Sequence, residues 1–498
     1  GLILPATSLF NLESRAYRQK FFEKHDVFRI TNFANLRDVL FGRRATLPAA
    51  TIIYGHYIER REKIDIVHYG PFSVNQTPTS KSKLWAITIN ENEIQVVPSL
   101  EAESGETSVW KFALWGSHFD KRAMARLKKL FPTTLEKFCE NRDWGVGIPR
   151  QGPEFCDDNR KPRAYIKGEK IFDTTTFNKS KPRYRFSIPS EALQEIESDA
   201  YFRRGEEAFE LTTPAPHIII SPAWGNFIIY SDDDFIIRPR QFGVAGPKND
   251  KQHLQALSVY LNSSLVAYYV FFHTQEWGIF RNAKRVTLNE VRKIPTPNFT
   301  FGQARDLAEL QEELAEIEKT EISHPHFSVN LHERLQNLLD ERVFNILQIP
   351  ADIAMLAKEF MRIRLKLDKG QIAIQQLTRS PQKEELIAYA QELRNELDDF
   401  VLGTAHHKVS LKQSDDLIEC KVEVTSQQQP IPVNEDSIRK GDLTATKLLS
   451  DIRPLLSEQF SQWVYIRRGL RLFGGSNIYI YKSPRLIDWT RTQAFNDA

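Results

Sequence analysis

The sequence has 498 residues, of which 41% are hydrophobic, 26% charged and 11% aromatic. This composition is typical of a globular protein and excludes fibrous and broadly disordered classes, and the length predicts roughly three or four domains. No run of about 18 apolar residues predicts a membrane span. The three cysteines, Cys139, Cys156 and Cys420, fit neither a disulfide framework nor a zinc pattern, so we expect a reducing, cytoplasmic setting.

The net charge of +3 is the sum of unlike segments. Residues 121–204 hold 19 basic and 12 acidic residues, and residues 238–293 hold 9 basic and 3 acidic residues. Basic segments within a near-neutral chain favour a surface that faces a polyanion. Solvent-exposed faces that are merely rich in lysine are the alternative.

The first 120 residues read as alternating strands and helices, followed by a polar, strand-rich part from residue 76 onward. Apolar, β-branched runs predict strands, and Ser14–Lys24 has a helical composition. The predicted strands are Leu2–Leu4, Val27–Thr31 and Ala50–Tyr54. Gln76–Lys83 reads as a Ser/Thr/Pro linker. The apolar beginning at Gly1 and the helix-like ending at Ala498 lead us to expect a piece of a longer protein.

Residues 121–300 combine a basic helix, Lys121–Phe131, with strands punctuated by proline and glycine, of which His217–Ser221 and Asn226–Tyr230 are the clearest. From residue 303 to about 400 the pattern is helical, and Leu386–Leu402 reads as an amphipathic helix that Gly403 ends. Residues 404–498 return to strands, with Glu419–Val424 and Ile478–Tyr481 as the best candidates.

Several nucleotide-binding and catalytic motifs are missing from the sequence. Gly145 and Gly147 form only a G-x-G, with Arg150 where a third glycine would fall, and neither a GxxxxGK[ST] loop nor an HExxH motif is present. Cys139 and Cys156 are expected to be core residues rather than nucleophiles.

One short pattern is typical of metal-dependent nucleases. Glu419 and Lys421 form an E-x-K on a predicted strand, with Asp415 and Asp416 on the preceding turn. Such an enzyme needs clustered carboxylates to hold Mg²⁺. An alternating, solvent-facing strand explains the same residues and is the simpler interpretation.

The stretch Leu254–Pro297 carries the most information about function. A predicted buried helix is followed by a glycine-containing turn that would display Arg281, Lys284 and Arg285 beside Trp277. Arginine binds guanine bidentately, lysine neutralises phosphate, and aromatic rings stack on bases. A core helix followed by an ordinary charged loop is the alternative.

This stretch also resembles the signature that closes the target recognition domain of adenine-N6 DNA methyltransferases in restriction-modification systems, of the type IIG and type I kind. Gly1–Ala6 with Arg18 resembles a segment in the second half of their catalytic domain. Three further stretches resemble the strands that follow that segment in the family: Asn32–Arg37, Leu40–Phe41 and Ala49–Tyr54. The resemblance covers about residues 1–300. The tail, Tyr479–Pro484 with Trp489–Arg491, resembles a C-terminal block of long relatives.

The resemblance implies methyl transfer from S-adenosylmethionine to adenine in double-stranded DNA. It also implies a glycine-rich cofactor loop and a (D/N/S)-P-P-(Y/F/W) tetrapeptide that holds a flipped adenine. The sequence contains no Pro-Pro, and Ser221-Pro222-Ala223-Trp224 departs from the motif and lies in the wrong place. A turn that ends the preceding strand is the better interpretation of these four residues. We therefore expect both parts upstream of Gly1 or on a separate polypeptide, with no catalytic or cofactor-binding residue in this chain and no activity of the chain alone.

The predicted fold class is α/β and α+β multidomain. We expect residues 1–120 to form the end of a Rossmann-like methylase sheet with its extension, and 121–300 a mixed α/β target recognition domain. Residues 301–403 would be a helical spacer, and 404–498 a small C-terminal α/β region.

The predicted DNA-binding residues fall into three groups, and for any one of them a phosphate contact is expected more often than a base contact. The first group is Trp277, Arg281, Lys284 and Arg285; the second is Arg238, Arg240 and Gln241; the third is Arg150, Gln151, Lys181, Arg183 and Arg185.

Three other functions stay open at this point. The first alternative is a non-catalytic DNA specificity subunit that serves a separate methylase or restriction subunit. A second alternative is a nuclease or defence effector with Mg²⁺ near Glu419. The third is an interaction scaffold built on the helices of residues 301–403.

Overall fold

The structure is a computed structural model. It describes residues 1–498 except 41–46, 57–61, 73–75, 79–84, 88, 90–92, 148–149, 154–166, 180–182, 198–199, 205–213, 238–240, 280–284, 324–329, 370, 403, 428 and 442–468.

The described residues form a mixed α/β structure. Its α-helices are α1 (Arg15–Lys24), α2 (Arg37–Leu40), α3 (Ser99–Glu103), α4 (Thr107–Trp115), α5 (His118–Leu130), α6 (Leu135–Glu140), α7 (Thr174–Lys179), α8 (Lys251–Asn262), α9 (Ser264–His273), α10 (Leu288–Arg292), α11 (Phe301–Ser323), α12 (Leu331–Ile346), α13 (Ala351–Arg362), α14 (Gln371–Thr378), α15 (Lys383–Phe400) and α16 (Arg491–Asp497).

The strands belong to three larger sheets and three two-stranded ones. They are β1 (Leu2–Pro5), β2 (His25–Asn32), β3 (Ala49–His56), β4 (Ile66–Tyr69), β5 (Gln76–Pro78), β6 (Trp85–Ile87), β7 (Ile94–Val97), β8 (Gly145–Gly147), β9 (Arg150–Pro153), β10 (Lys170–Phe172), β11 (Leu193–Glu195), β12 (Ala200–Arg204), β13 (His217–Ile220), β14 (Ile228–Ser231), β15 (Phe242–Ala245), β16 (His406–Gln413), β17 (Ile418–Thr425), β18 (Ile438–Lys440), β19 (Gly469–Gly474) and β20 (Asn477–Lys482).

The chain divides into two compact units. Unit 1 comprises residues 1–9, 13–119 and 359–498, and unit 2 comprises residues 10–12 and 120–358. The four-part division expected from the sequence stays a prediction. The two compact units do not follow the expected boundaries, because residues 301–358 of the expected helical spacer belong to unit 2 and residues 359–403 to unit 1.

The first sheet of unit 1 has the strand order β1-β3-β2-β4-β7. Strand β3 lies between β1 and β2 and is antiparallel to both, so β1 and β2 are parallel and are joined through α1. Strand β4 is parallel to β2, and β7 is antiparallel to β4. Helices cover one face, where Phe22 of α1 and Trp110 of α4 stack with ring centroids 5.1 Å apart. The sheet is therefore mixed, with a parallel β-α-β crossover at one side.

Residues 99–115 differ from the strand-rich expectation, because the structure has helices α3 and α4 there. Eight of the nine residues of α4 are buried, including Trp110, Lys111 and Trp115. A helix that is buried all round shows no alternation of polar and apolar positions at helical spacing. This part of the expectation was wrong for that reason.

The second sheet of unit 1 has the order β18-β16-β17-β20-β19 and packs on α15 and α16. Its core includes Leu393 of α15, Cys420 of β17 and Trp489, all of which are fully buried. Next to this core the buried carboxylate of Asp497 accepts hydrogen bonds from Tyr389 and Lys482, and Arg471 donates to it at 3.0 Å. The predicted strands and the predicted helix around Leu386–Leu402 are confirmed, with ends shifted by a few residues.

A second carboxylate in unit 1 joins the end of α15 to the start of β16. The Nδ1 atoms of His406 and His407 lie 3.0 and 2.8 Å from the carboxylate of Asp398, and the His407 backbone N–H donates to it at 2.8 Å. Burial opposes the ionisation of Asp398, but these hydrogen bonds outweigh it and lower the pKa of the carboxyl group.

Unit 2 is built around a four-stranded antiparallel sheet with the order β14-β13-β15-β8. Every residue of β13, β14 and β15 is buried. Helix α8 contacts the sheet at β13 and β14, and the Ile219 and Ile229 side chains pack with Phe172 and Phe177. Strands that are buried throughout read as continuous apolar runs, which is why His217–Ser221 was recognisable in the sequence.

Two buried carboxylates hold the long helices α11 and α12 to the rest of unit 2. Glu318 of α11 accepts from the backbone N–H groups of Arg185, Phe186 and Ser187 at 2.6, 3.0 and 3.0 Å, and from the Ser187 hydroxyl at 2.8 Å. Asp340 of α12 accepts from the backbone N–H and hydroxyl of Ser264 at 2.7 and 2.6 Å. It thereby satisfies donors at the first turn of α9.

We expect that Glu318→Gln lowers the free energy of unfolding of unit 2 by about 2–4 kcal/mol, because an amide cannot accept from all four donors and leaves buried N–H groups unsatisfied. Urea denaturation measures the change. Glu316→Gln, on an exposed position of the same helix, is the matched control and should change little. Equal stability of the two variants would contradict the role of Glu318.

Asp398→Asn should destabilise the protein at neutral pH, because the lowered pKa shows that the folded state favours the ionised carboxylate. The stabilisation by ionised Asp398 is fully present above about pH 3.9, the pKa of an aspartate in the unfolded chain. It is lost as the pH falls through the lower pKa that Asp398 has in the folded state. Denaturant melts of wild type and variant should therefore differ at pH 6 and converge toward pH 3. Asp399→Asn, at the exposed neighbouring position, is the control. A difference that does not depend on pH would contradict this account.

Candidate nucleic-acid interface

One end of the four-stranded sheet of unit 2 collects residues that are distant in sequence. Strand β13 ends at Ile220, which pairs with Ile228 at the start of β14 and with Phe242 at the start of β15. Gly243 of β15 pairs with Gly147, the last residue of β8. We call this end of the sheet, marked by Gly147, Ser221, Phe227 and Gln241, the basic end.

The segment that contains Arg285 is attached to the basic end through the β13–β14 turn. The Val286 N–H donates to the carbonyl oxygen of Pro222 at 2.8 Å, and Arg285 forms an antiparallel bridge with Ala223. Val286 is buried while Arg285 is exposed. The backbone pairing therefore fixes the position of Arg285 and leaves its guanidinium group accessible to solvent.

A capped helix anchors the same segment on its other side. Thr287 and Glu290 form a capping box at the start of α10, and the Glu290 carboxylate also accepts from the backbone N–H of Gln275 at 3.2 Å. Arg292, at the end of α10, donates to the carbonyl oxygen of Val146 on β8 at 3.2 Å. Helix α10 thus ties the Arg285 segment to the turn that follows α9 and to the edge strand of the sheet.

The structure places members of two predicted groups at the basic end, and the third group begins a short distance further along the chain. Arg285 lies beside the β13–β14 turn, Gln241 precedes β15 directly, and Arg150 and Gln151 begin β9, three residues after Gly147. Five other predicted residues lie outside the described residues: Arg281 and Lys284 of the first group, Arg238 and Arg240 of the second, and Lys181 of the third.

Gln241 is 6% exposed, and its Oε1 atom has no hydrogen-bond partner among the described residues. A buried amide oxygen without a donor costs about 1–3 kcal/mol. Gln241 is therefore a buried residue at the basic end, and its role as a DNA-binding residue stays a prediction.

Trp277 has a different environment from the one expected for a base-stacking residue. It is 2% exposed and packs edge-to-face on Phe271, with ring centroids 5.4 Å apart. Gly278 has a φ of 76°, which confirms the glycine turn. In this conformation Trp277 is a core residue that packs on α9.

Arg183 and Arg185 belong to another part of unit 2. The guanidinium of Arg185 donates to Gln336 of α12 at 2.8 Å, and burial lowers its pKa. Arg183 is exposed, and its carbonyl oxygen lies 2.6 Å from Nε2 of His332. These contacts assign the pair to the surface of the long helices, and none of the contacts described for them reaches the basic end.

The tetrapeptide Ser221-Pro222-Ala223-Trp224 forms the turn that ends β13. Trp224 is 1% exposed, and the Ser221 hydroxyl accepts from the Ala223 N–H at 3.2 Å. Gly225 has a φ of 79°, a conformation that favours glycine. The buried indole has no free face for a flipped base, so the geometry supports the interpretation as a strand-ending turn.

Other chemistry considered from the sequence finds little support in the described residues. Gly145 and Gly147 lie within β8 and therefore form no strand-to-helix turn for a nucleotide or for S-adenosylmethionine. Burial raises the pKa of the Cys139 thiol to about 12, which keeps it protonated, and Cys156 lies outside the described residues. No group of three or more His, Cys, Asp or Glu side chains in the described part of the chain could hold a metal ion, the surroundings of Glu419 included.

Sequence reasoning missed two elements that build the basic end. The residues that begin the turn Ser221–Asn226 were interpreted as a strand-ending turn, but its role as the support for Arg285 was not recognised. The capping box of α10 was also overlooked, although Thr287 followed by Glu290 three residues later is a recognised helix-start signal.

Comparison with known proteins adds no family assignment. The chain matches no protein-family model, and no curated protein matches it in sequence. Among the helices that the structure describes, none has the length and apolar character needed to cross a bilayer.

We expect that Trp277→Ala lowers the free energy of unfolding by about 3–5 kcal/mol, because it removes a buried indole and leaves a cavity. Thermal and urea denaturation measure this. Phe301→Ala, at a 72% exposed aromatic position of unit 2, is the control and should cost less than about 0.5 kcal/mol. An unchanged stability of the Trp277 variant would restore the interpretation of Trp277 as a surface contact.

Proposed function

We propose that unit 2 binds double-stranded DNA through the basic end, as the target recognition part of an adenine-N6 DNA methyltransferase of a restriction-modification system. The observation that carries this proposal is the position of the exposed Arg285, which pairs with the β13–β14 turn at the same end of one sheet as Gln241 and Gly147. A basic side chain that is held by backbone pairing and left exposed suits a contact with a polyanion.

The charge balance at Arg285 supports the same proposal. Arg285 is exposed and forms no ion pair with a described residue, whereas Arg292 nearby lies 3.5 Å from Glu136. Because an unpaired guanidinium group is a strong donor to phosphate oxygens and to guanine O6 and N7, Arg285 is the described residue best placed for a DNA contact.

The first sheet of unit 1 supports the methyltransferase part of the proposal. Its β1-α1-β2 crossover is the unit from which α/β sheets are built, and the outer edge of β1 pairs with no described strand. In the proposed enzyme this sheet is the last part of a Rossmann-like methylase sheet. In that enzyme the S-adenosylmethionine loop and the catalytic tetrapeptide would belong to another segment, on the same or on a separate polypeptide.

A non-catalytic specificity subunit would use the same interface. Restoration of methyl transfer by an added, separately encoded methylase would favour the subunit, whereas activity only in a longer single polypeptide would favour the fused enzyme. The nuclease alternative predicts Mg²⁺-dependent cleavage of DNA that Glu419→Ala abolishes.

Arg285→Ala should weaken binding to duplex DNA by about ten-fold and reduce the slope of log K against log salt by about one, because one phosphate-neutralising charge is lost. Fluorescence anisotropy across a salt series measures both quantities.

The matched control is Lys248→Ala, which removes an exposed charge beyond Ala245, at the opposite end of the same sheet. It should leave the salt slope unchanged. If Arg285→Ala and Lys248→Ala alter the slope equally, the basic end is not the DNA-binding surface.

A further inference from the structure

Helix α5 carries an unbalanced positive charge on the side that it does not bury. Its buried apolar positions are Ala123, Met124 and Leu127. The one acidic residue of the helix, Asp120, is also buried, so the remaining side holds basic residues and no acidic one. These basic residues are Lys121, Arg122, Arg126, Lys128 and Lys129. From Asp120 onward the helix belongs to unit 2.

The stability of the helix accounts for only part of this charge. Lys128 and Lys129 lie in the last turn, where basic residues interact favourably with the helix dipole. Lys121 lies in the first turn, where a positive charge is unfavourable. Arg122 and Arg126 are like charges four residues apart on one face, which destabilises a helix. A surface that binds an anion explains the basic positions that helix stability leaves unexplained.

Contacts with α9 fix helix α5 at both of its ends. The Tyr268 hydroxyl donates a hydrogen bond to the Asp120 carboxylate near the start of α5. Near its end, the Nζ atom of Lys128 lies 5.7 Å from the centroid of the Tyr269 ring. The basic side of α5 is therefore held in a defined orientation on unit 2.

Tyr269 also connects α5 to the segment that carries Arg285. Its hydroxyl donates to the carbonyl oxygen of Lys293 at 3.3 Å. Lys293 directly follows α10, and Arg285 lies three residues before that helix, which spans about 7.5 Å. Lys293 is exposed and forms no ion pair with a described residue. Lys293 thus lies between Arg285 and the end of α5.

Backbone hydrogen bonds hold the chain that follows α10 against the chain that follows α5. The Leu135 N–H donates to the carbonyl oxygen of Ile294 at 2.8 Å, and the Thr296 N–H donates to that of Thr133 at 2.8 Å. Glu136, the first acidic residue after α5, lies 3.5 Å from Arg292. The positive charge of Lys293 and of α5 is therefore carried by two segments whose backbones are joined.

We propose that Lys293 and the basic side of α5, together the α5 surface, bind backbone phosphates of the duplex that contacts Arg285. The inference rests on the proposed function and goes beyond it by assigning the path of the DNA backbone, from Arg285 along α10 to Lys129 and Arg122. A lysine ammonium group is a compact point charge that suits phosphate oxygens. Duplex DNA carries one charge per about 1.7 Å of its axis, so it presents phosphates along the whole of this path.

The test uses the full chain, a short duplex DNA and fluorescence anisotropy across a salt series. Lys129→Ala/Lys293→Ala should weaken binding by about ten-fold or more and reduce the salt slope by about two, because two phosphate-neutralising charges are lost. Lys129→Arg/Lys293→Arg keeps both charges and should retain the slope. Lys319→Ala/Arg342→Ala removes two exposed charges from α11 and α12 and is the matched control, with no expected change in slope.

A combined variant and the binding stoichiometry distinguish one continuous surface from two separate sites. Arg285→Ala/Lys129→Ala/Lys293→Ala should reduce the slope by about three, and wild type should bind one duplex per chain. Two duplexes per chain, or an equal loss of slope in Lys319→Ala/Arg342→Ala, would overturn the α5 surface.

The α5 surface and the proposed function fail in different ways. An unchanged slope in Lys129→Ala/Lys293→Ala, together with a reduced slope in Arg285→Ala, would overturn the α5 surface and leave the proposed function standing. Absence of duplex binding by wild type would overturn both.

Discussion

The architecture of unit 2 depends on the burial of two carboxylates that are fully supplied with hydrogen-bond donors. Glu318 and Asp340 project from the two long helices into the interior, where an unpaired carboxylate would cost several kcal/mol. Burial raises the pKa of both, and the donors from residues 185–187 and from Ser264 oppose that shift. The donors must be in place for the helices to pack, so the helices, the 185–187 segment and helix α9 are positioned together.

That constraint extends to the basic end through helices α8 and α9. Helix α9 continues into the turn at Gly278, and α10 connects that turn to β8 and, through the Glu290 carboxylate, to Gln275. In this way the carboxylates of the long helices, although none of their described contacts is with Arg285, help to position the segment that carries it. The position of the proposed recognition surface therefore depends on the packing of the unit 2 core and not on loops alone.

Much of the local structure was predictable from the sequence, because a helix or strand that buries one face repeats its apolar residues with its own period. The strands around Val27–Thr31 and Glu419–Val424 and the helix around Leu386–Leu402 follow from such patterns, while the fully buried helix α4 gave none. The candidate site was predictable only as a set of residue types. Strand register decides which of them share an end of the sheet, and it places Gln241 at the end that Arg285 joins. Arg185 instead contacts Gln336 of α12, which no local pattern in the sequence indicated. Burial of Trp277 was not recognised, although it follows an uninterrupted apolar helix, because aromatic residues near basic ones fit either a core or a nucleic-acid surface.

The central claim is that DNA contacts the basic end, and hydrogen exchange with and without duplex DNA tests it most directly. The account predicts slower exchange in the turn Ser221–Asn226 and at Arg285–Thr287 when DNA is present. Lys248–Asp250, beyond the opposite end of the same sheet, should exchange at the same rate in both conditions. Protection at Lys248–Asp250 with none at Ser221–Asn226, or no protection in unit 2 under conditions where DNA is bound, would contradict it.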